Sequence, residues 1–233
     1  MSGASVMIGN SRRIVGAQRG PHADLERRIA RHRDVPFQRP IASHTAAAFA
    51  ALVDRLDSSR PLVLDAGCGT GESSVRLAGR HPDALVIGVD KSAHRLRPVL
   101  AGGGCASRVH LVRADLQDFW RLARAAGLRL AAHYLLYPNP WPKAVHLQRR
   151  WHGHPVFPDL LALGGALELR TNWSVYAEEF AAGLACFGFE ASMERLDAES
   201  AGSPLTPFER KYLASGQRCL RVRADLDTAG ALA

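Results

Sequence analysis

The chain has 233 residues, 47% of them hydrophobic, which suits one α/β domain with a substantial core. No apolar run approaches the roughly 18 residues of a membrane span, and Met1 to Gly20 lacks the apolar centre of a secretory leader. The four cysteines (Cys68, Cys105, Cys186, Cys219) have neither Cys-x-x-Cys nor Cys/His spacing, so a cytoplasmic protein without metal, disulfide framework or membrane contact is expected.

A net charge of +8 favours a polyanionic partner, nucleic acid foremost. Residues 1–40 carry eight arginines (Arg12, Arg13, Arg19, Arg27, Arg28, Arg31, Arg33, Arg39) against three acids, and read as a flexible basic arm without clear periodicity. The rest, 41–233, reads as a single domain. A helix is expected from Ser43 to Leu56, with Ser43 as N-cap. From Pro61 onward strand and helix patterns alternate. Strands are expected at 62–65, 84–90, 109–113, 129–136 and 166–170, and helices at 72–80, 92–101, 117–126, 145–163 and 174–187. Tyr176, Phe180, Leu184 and Phe187 recur at spacings of three and four, which marks the face of the last helix that packs on the sheet. Two antiparallel edge strands, 190–196 and 218–224, complete a mostly parallel seven-stranded sheet with helices on both faces.

In such open sheets ligands bind at the carboxyl ends of the strands. The first strand ends in Asp65-Ala66-Gly67-Cys68-Gly69-Thr70-Gly71, a turn that needs glycines for its backbone angles and for close approach of a ligand. The second ends in Asp90, a carboxylate suited to both hydroxyls of a ribose. A dinucleotide-binding turn has the spacing G-x-G-x-x-G and places a pyrophosphate at the helix N-terminus, where Asp65 would be unwelcome. An acid instead suits a cofactor bearing an ammonium group. This turn resembles motif I of the Rossmann-like class I methyltransferases, and the resemblance implies S-adenosylmethionine as cofactor. The third strand ends in Ala114-Asp115, where the backbone and the carboxylate could meet an adenine.

The fourth strand leads into Tyr137-Pro138-Asn139-Pro140-Trp141-Pro142-Lys143, where a transferable methyl group is expected to point. Three prolines make this loop stiff, and stiffness serves positioning of a nucleophile. Trp141 offers a flat surface to a base, while Lys143, Arg149 and Arg150 offer charges to phosphates.

This loop, with His146 and Arg149-Arg150, resembles the F-x-D-P-W-P-K-x-x-H-x-x-R-R signature of the bacterial tRNA guanine-N7 methyltransferases. Arg170 to Ala177 is similar to their T-D-W-x-x-Y-A segment, and Leu205 to Lys211 to their T-x-F-E-x-[KR] segment. The resemblance implies methylation of tRNA to 7-methylguanosine in the variable region, by a monomer or homodimer. Asn139 then stands at the catalytic position, and Trp141, Lys143, His146, Arg150, Asn172, Thr206 and Glu209 face the substrate. Two family aspartates are replaced, by Asn139 and Asn172. An asparagine has one acceptor oxygen where a carboxylate has two, and it loses the charge that strengthens such bonds. Two alternatives therefore stay open: a related methyltransferase with a changed acceptor, such as an exocyclic amine of another RNA or a small molecule, and a non-catalytic RNA-binding relative.

Overall fold

Strands β1 (Leu62–Ala66) and β2 (Leu85–Asp90) are buried at every position, as expected of central strands covered on both faces. Their side chains alternate between two cores. Leu62, Leu64, Leu85, Ile87 and Val89 face the larger one, and Val63 and Val86 the smaller. The computed structural model describes residues 9–16, 18–96, 107–196 and 203–228. β3 (Val109–Arg113), β4 (Ala132–Leu136) and β5 (Ala166–Thr171) extend the parallel sheet, and β6 (Ser192–Leu196) and β7 (Cys219–Asp225) join it antiparallel. The sheet has seven strands in the order β3-β2-β1-β4-β5-β7-β6, so the expected fold is the one observed. The chain changes direction across the sheet between β1 and β4, which opens a crevice at their carboxyl ends.

Helix α1 (Leu25–Asp34), α2 (Ser43–Val53), α4 (Leu116–Ala125), α5 (Phe157–Leu161) and α6 (Ser174–Ala185) contribute to the larger core, while α3 (Glu72–Arg80) covers the other face. On α6, Tyr176, Phe180 and Leu184 are fully buried, as their spacing predicts, and Phe187, just past the helix end rather than within it, is nearly so. The last helix, α7 (Pro207–Ala214), packs beside β7.

Three expectations change. The basic N-terminal segment is partly structured: α1 docks on α6 through buried Leu25 and Ile29, a single i, i+4 pair too sparse to show as a period among the arginines. Residues 1–8 and 17 lie outside the described residues, as does the second half, 97–101, of the helix expected at 92–101. The N-cap of α2 is Ala42, whose N–H donates to Asp118 Oδ2 at 3.0 Å, rather than Ser43. The long helix expected at 145–163 is instead two 3₁₀ turns, Ala144–Arg149 and Trp151–Gly153, followed by the short α5. Arg150 between the turns is extended, with φ −81° and ψ 141°, and Pro155 and Pro158 remove donors a continuous helix would need.

Candidate active site

The crevice holds a cavity of about 630 Å³, lined from the first three strand ends by Ala66, Gly67, Asp90, Ala114 and Asp115. Tyr137, Pro138, Asn139 and Trp141 line it from the loop after β4, and Gln148, Arg149, Trp151 and His154 from the 3₁₀ turns and just beyond.

On the β1–β2 side the geometry is mostly main chain. Gly67, Gly69 and Gly71 have φ of 84°, 59° and 82°, the left-handed region that favours glycine. The N–H groups of Gly67 and Cys68 both donate to the Val89 carbonyl, at 2.8 and 3.0 Å, which pins the turn to the end of β2. Asp90 Oδ2 accepts from Gly69 N–H at 3.0 Å and Oδ1 from Ser92 N–H at 2.8 Å, so the carboxylate is fixed at the cavity edge. Gly88 lets α3 approach the sheet: a Cβ there would collide with Ser74 Oγ and with Leu111.

Asp65 sits beneath the turn, 1% exposed, and its Oδ2 accepts from Ser73 Oγ at 2.6 Å and Ser74 Oγ at 2.7 Å. Burial, partly offset by the two serines and aided by nearby Asp90, raises its pKa to about 6. Its Oδ1 is buried without a hydrogen-bond partner. Asp115 lines the cavity and is also tied into the protein. Its N–H donates to Thr45 Oγ1 at 3.2 Å, its Oδ1 caps α4 by accepting from Gln117 N–H at 3.1 Å, and its Oδ2 faces Arg39 at 3.4 Å. Its polar groups are engaged within the protein, because a carboxylate at this point is the natural N-cap of α4.

The side after β4 is held by side chains. Tyr137 and Trp141 have φ of 53° and 47°, so two bulky residues of the stiff loop occupy the left-handed region. Trp141 N–H donates to Asn139 Oδ1 at 3.4 Å, and Asn139 itself is exposed at the cavity wall. Arg149 lies over the Trp141 ring at 4.7 Å, and His146 meets that ring edge-on at 5.6 Å between centroids. Lys143 is exposed beside them. His154 forms a further wall of the cavity. Burial pushes its pKa down to about 4, with His32 and Arg39 acting in the same direction, so it is neutral at pH 7.

Four residues expected at the substrate are placed elsewhere. Arg150 is fully buried: it pairs with Glu179, donates to the carbonyls of Trp141 and Lys143, and lies 4.8 Å over Trp173. Glu209 is equally buried, paired with Arg170 at 2.6 Å while accepting from Leu205 N–H. Thr206 accepts from Glu209 N–H at 3.0 Å, so Thr-x-x-Glu here opens α7 in the manner of a capping box. Asn172 donates from Nδ2 to Gln217 Oε1 at 2.8 Å, and Gln217 in turn holds the carbonyls of Ser11 and Arg12. Missed entirely was Glu179, the hub under the loop. Burial opposes its charge, but His152 and Arg150 hold its pKa down to about 2. Its sequence signal, one of two adjacent acids (Glu178, Glu179) in a mostly apolar helix, is mute about its partners. Among the described residues no group of three or more His, Cys, Asp or Glu side chains is arranged for a metal ion, and no helix is long and apolar enough to cross a membrane.

Residues 59–222 match a protein-family model described as "Putative methyltransferase". A tRNA (guanine-N(7)-)-methyltransferase of a Nocardioides strain is 33% identical over 175 residues, which span 69% of this chain and 66% of that protein. The tRNA (guanine-N(7)-)-methyltransferase of Halorhodospira halophila is 33% identical over 192 residues, 73% of this chain and 78% of that protein. A solved 16S rRNA adenine-N1 methyltransferase of Catenulisporales acidiphilia, with its cosubstrate S-adenosylmethionine, superposes with a TM-score of 0.52. At 20% identity over 81% of this chain and 92% of that one, this likeness shows the fold alone.

Proposed function

Because the chain belongs to the tRNA (guanine-N(7)-)-methyltransferase family, we propose that it forms 7-methylguanosine in the variable region of tRNA, using S-adenosylmethionine. The observation that carries this reading is the shared cavity. Asp90, at the end of β2, and Asn139 and Trp141, in the stiff loop after β4, open onto the same space from opposite sides of the switch point.

The residues present fit the cofactor. Asp90 offers two ionisable oxygens at the cavity edge for a ribose, and Asp65 keeps one buried oxygen free for a cationic group above the glycine turn. When bound, S-adenosylmethionine supplies an electrophilic methyl group. Guanine N7 carries an in-plane lone pair and no proton, so the chain need not provide a general base. Its tasks are to orient the purine, exclude water and tolerate the positive charge that the ring acquires. Trp141, backed by Arg149, gives the base a flat surface to stack on, a contact worth about 1–3 kcal/mol. Asn139 offers its amide to the base edge, and exposed Lys143 with His146 borders the loop where phosphates would lie. Gly67, Gly69, Gly71 and Ala114 shape the cofactor side without contributing charge.

The test is direct. Unmodified tRNA transcript incubated with the protein and S-adenosylmethionine should yield 7-methylguanosine on nucleoside mass spectrometry, and absence of that product refutes the reading. One observation favours a second acceptor class, an exocyclic amine: a neutral amide, not a carboxylate, stands at the cavity wall. The same digest separates the two by the mass and retention of the methylated nucleoside.

A further inference from the structure

The loop after β4 is held in shape from outside as well as by its own residues. Two of its carbonyls, of Trp141 and Lys143, are gripped by the buried guanidinium of Arg150: Nη2 donates to them at 3.0 and 3.3 Å, and Nε donates to Trp141 O at 3.3 Å. Trp141 needs such a grip, because a tryptophan at φ 47° relaxes to ordinary backbone angles when released. Arg150 is in turn fixed from below by Glu179 and from the N-terminal side by Gln18. Gln18 Oε1 accepts from Arg150 Nη2 at 2.9 Å, and its Nε2 donates to Glu179 Oε1 at 2.6 Å and to Gly20 O at 2.8 Å. His22 N–H donates to the same Glu179 oxygen at 2.9 Å. Just before Gln18, Gly16 lies against the loop itself: a Cβ there would be 2.9 Å from Pro142 O and 3.1 Å from Pro142 Cβ. The N-terminal segment thus straps the loop at two points, one polar and one steric.

We infer that Gln18 is a positioning residue for methyl transfer, acting through Arg150 to hold the Trp141 loop in the shape that receives the acceptor. Gln18 does not line the cavity and so acts on neither reactant directly. The amide is chemically suited to the task, since it must accept from a guanidinium and donate to a carboxylate at once, which glutamate and lysine cannot do. The inference rests on the loop receiving the acceptor, as proposed above.

The experiment compares the full-length protein with Gln18→Ala, Gln18→Met and Gly16→Ala. Three quantities are measured: kcat and KM on unmodified tRNA transcript, Kd for S-adenosylmethionine by calorimetry, and hydrogen exchange of peptides covering 137–150 and 62–71. Expected is a fall in kcat of about tenfold or more in each variant, with cofactor Kd within about twofold of wild type. Exchange should quicken in 137–150 and stay unchanged in 62–71. The Met variant keeps the side-chain volume and so guards against a mere packing loss. Unchanged kcat in the variants overturns the inference. So does a fall in which cofactor affinity and 62–71 protection drop together, because that marks a general loss of structure. If the wild type forms no methylated product, the proposed function fails, and the exchange arm still decides: equal exchange of 137–150 in all proteins overturns the strap.

Discussion

The two sides of the cavity are built on different principles. On the β1–β2 side, one turn of seven residues, Asp65 to Gly71, and one strand end form the site, with bonds from the N–H groups of Gly67, Cys68 and Gly69 to Val89 and Asp90. On the other side, loop 137–143 is held by Gln18, Arg150, Trp173 and Glu179, drawn from three separate parts of the chain. The first side is fixed by local backbone geometry and tolerates change around it. The second is an assembled network of buried polar groups, where each member leaves others unsatisfied when removed. A ligand shared by many enzymes can be met by the first kind of construction, whereas a particular acceptor is matched by the second.

The largest effect should come from the network. Glu179→Leu strands the Arg150 guanidinium in the core, and about 3–5 kcal/mol of stability should be lost, read as a lower denaturation midpoint in urea. This contribution has a pH signature. The folded-state pKa of Glu179, about 2, lies below its ordinary 4.5, so the stability is present above pH 4.5 and lost as pH falls towards 2. The gap between wild type and Glu179→Gln should therefore narrow below pH 4.5, and a gap that is constant with pH would contradict this account.

On the opposite side, Asp90→Ala should leave the fold nearly intact and weaken S-adenosylmethionine binding about a hundredfold, or about 3 kcal/mol, by calorimetry. If both substitutions acted alike on stability and on cofactor affinity, the contrast between the two sides would collapse. Trp141→Ala should raise KM for tRNA about tenfold with cofactor Kd unchanged, as expected for loss of one stacking surface. The smallest effect is a gain. Asn139→Asp restores a charged acceptor at the cavity wall and should raise kcat/KM several-fold on guanine, or about 1 kcal/mol. A loss on guanine would instead support an amine acceptor.

The same contrast explains what could be read from the sequence. The glycine turn, Asp90 and the strand alternation are local patterns, and they were found where expected. The helix at 145–163 was misread because periodicity there belongs to packing of Leu147, Val156 and Leu160 from separate turns, not to one helix. Arg150, Asn172, Thr206 and Glu209, expected to face the substrate, lie among internal partners for a related reason. A charged residue next to a motif looks free to meet a phosphate until its partner is known, and the partners of Arg150 and Glu209, Glu179 and Arg170, lie 29 and 39 residues away. Asp118 is a similar case. Fully buried, it ties Arg39 and Ala42 to α4 and so joins the N-terminal segment to the third strand's end.

Asp65 carries a consequence of another kind. With a pKa near 6 where an unfolded aspartate has 3.8, the folded protein binds the extra proton between those values, so this group's contribution to stability falls as pH rises from 3.8 to 6. Above pH 6 the folded protein holds an ionised, buried carboxylate whose Oδ1 has no hydrogen-bond partner. Asp65→Asn should melt a few degrees higher than wild type at pH 8 in the absence of ligand, yet gain less from added S-adenosylmethionine. At pH 6 and below, cofactor binding to the wild type should expel a proton into the buffer, so that its calorimetric heat depends on the buffer's own ionisation enthalpy. Under the proposed function, a cationic ligand above the turn would offset the cost of that buried charge.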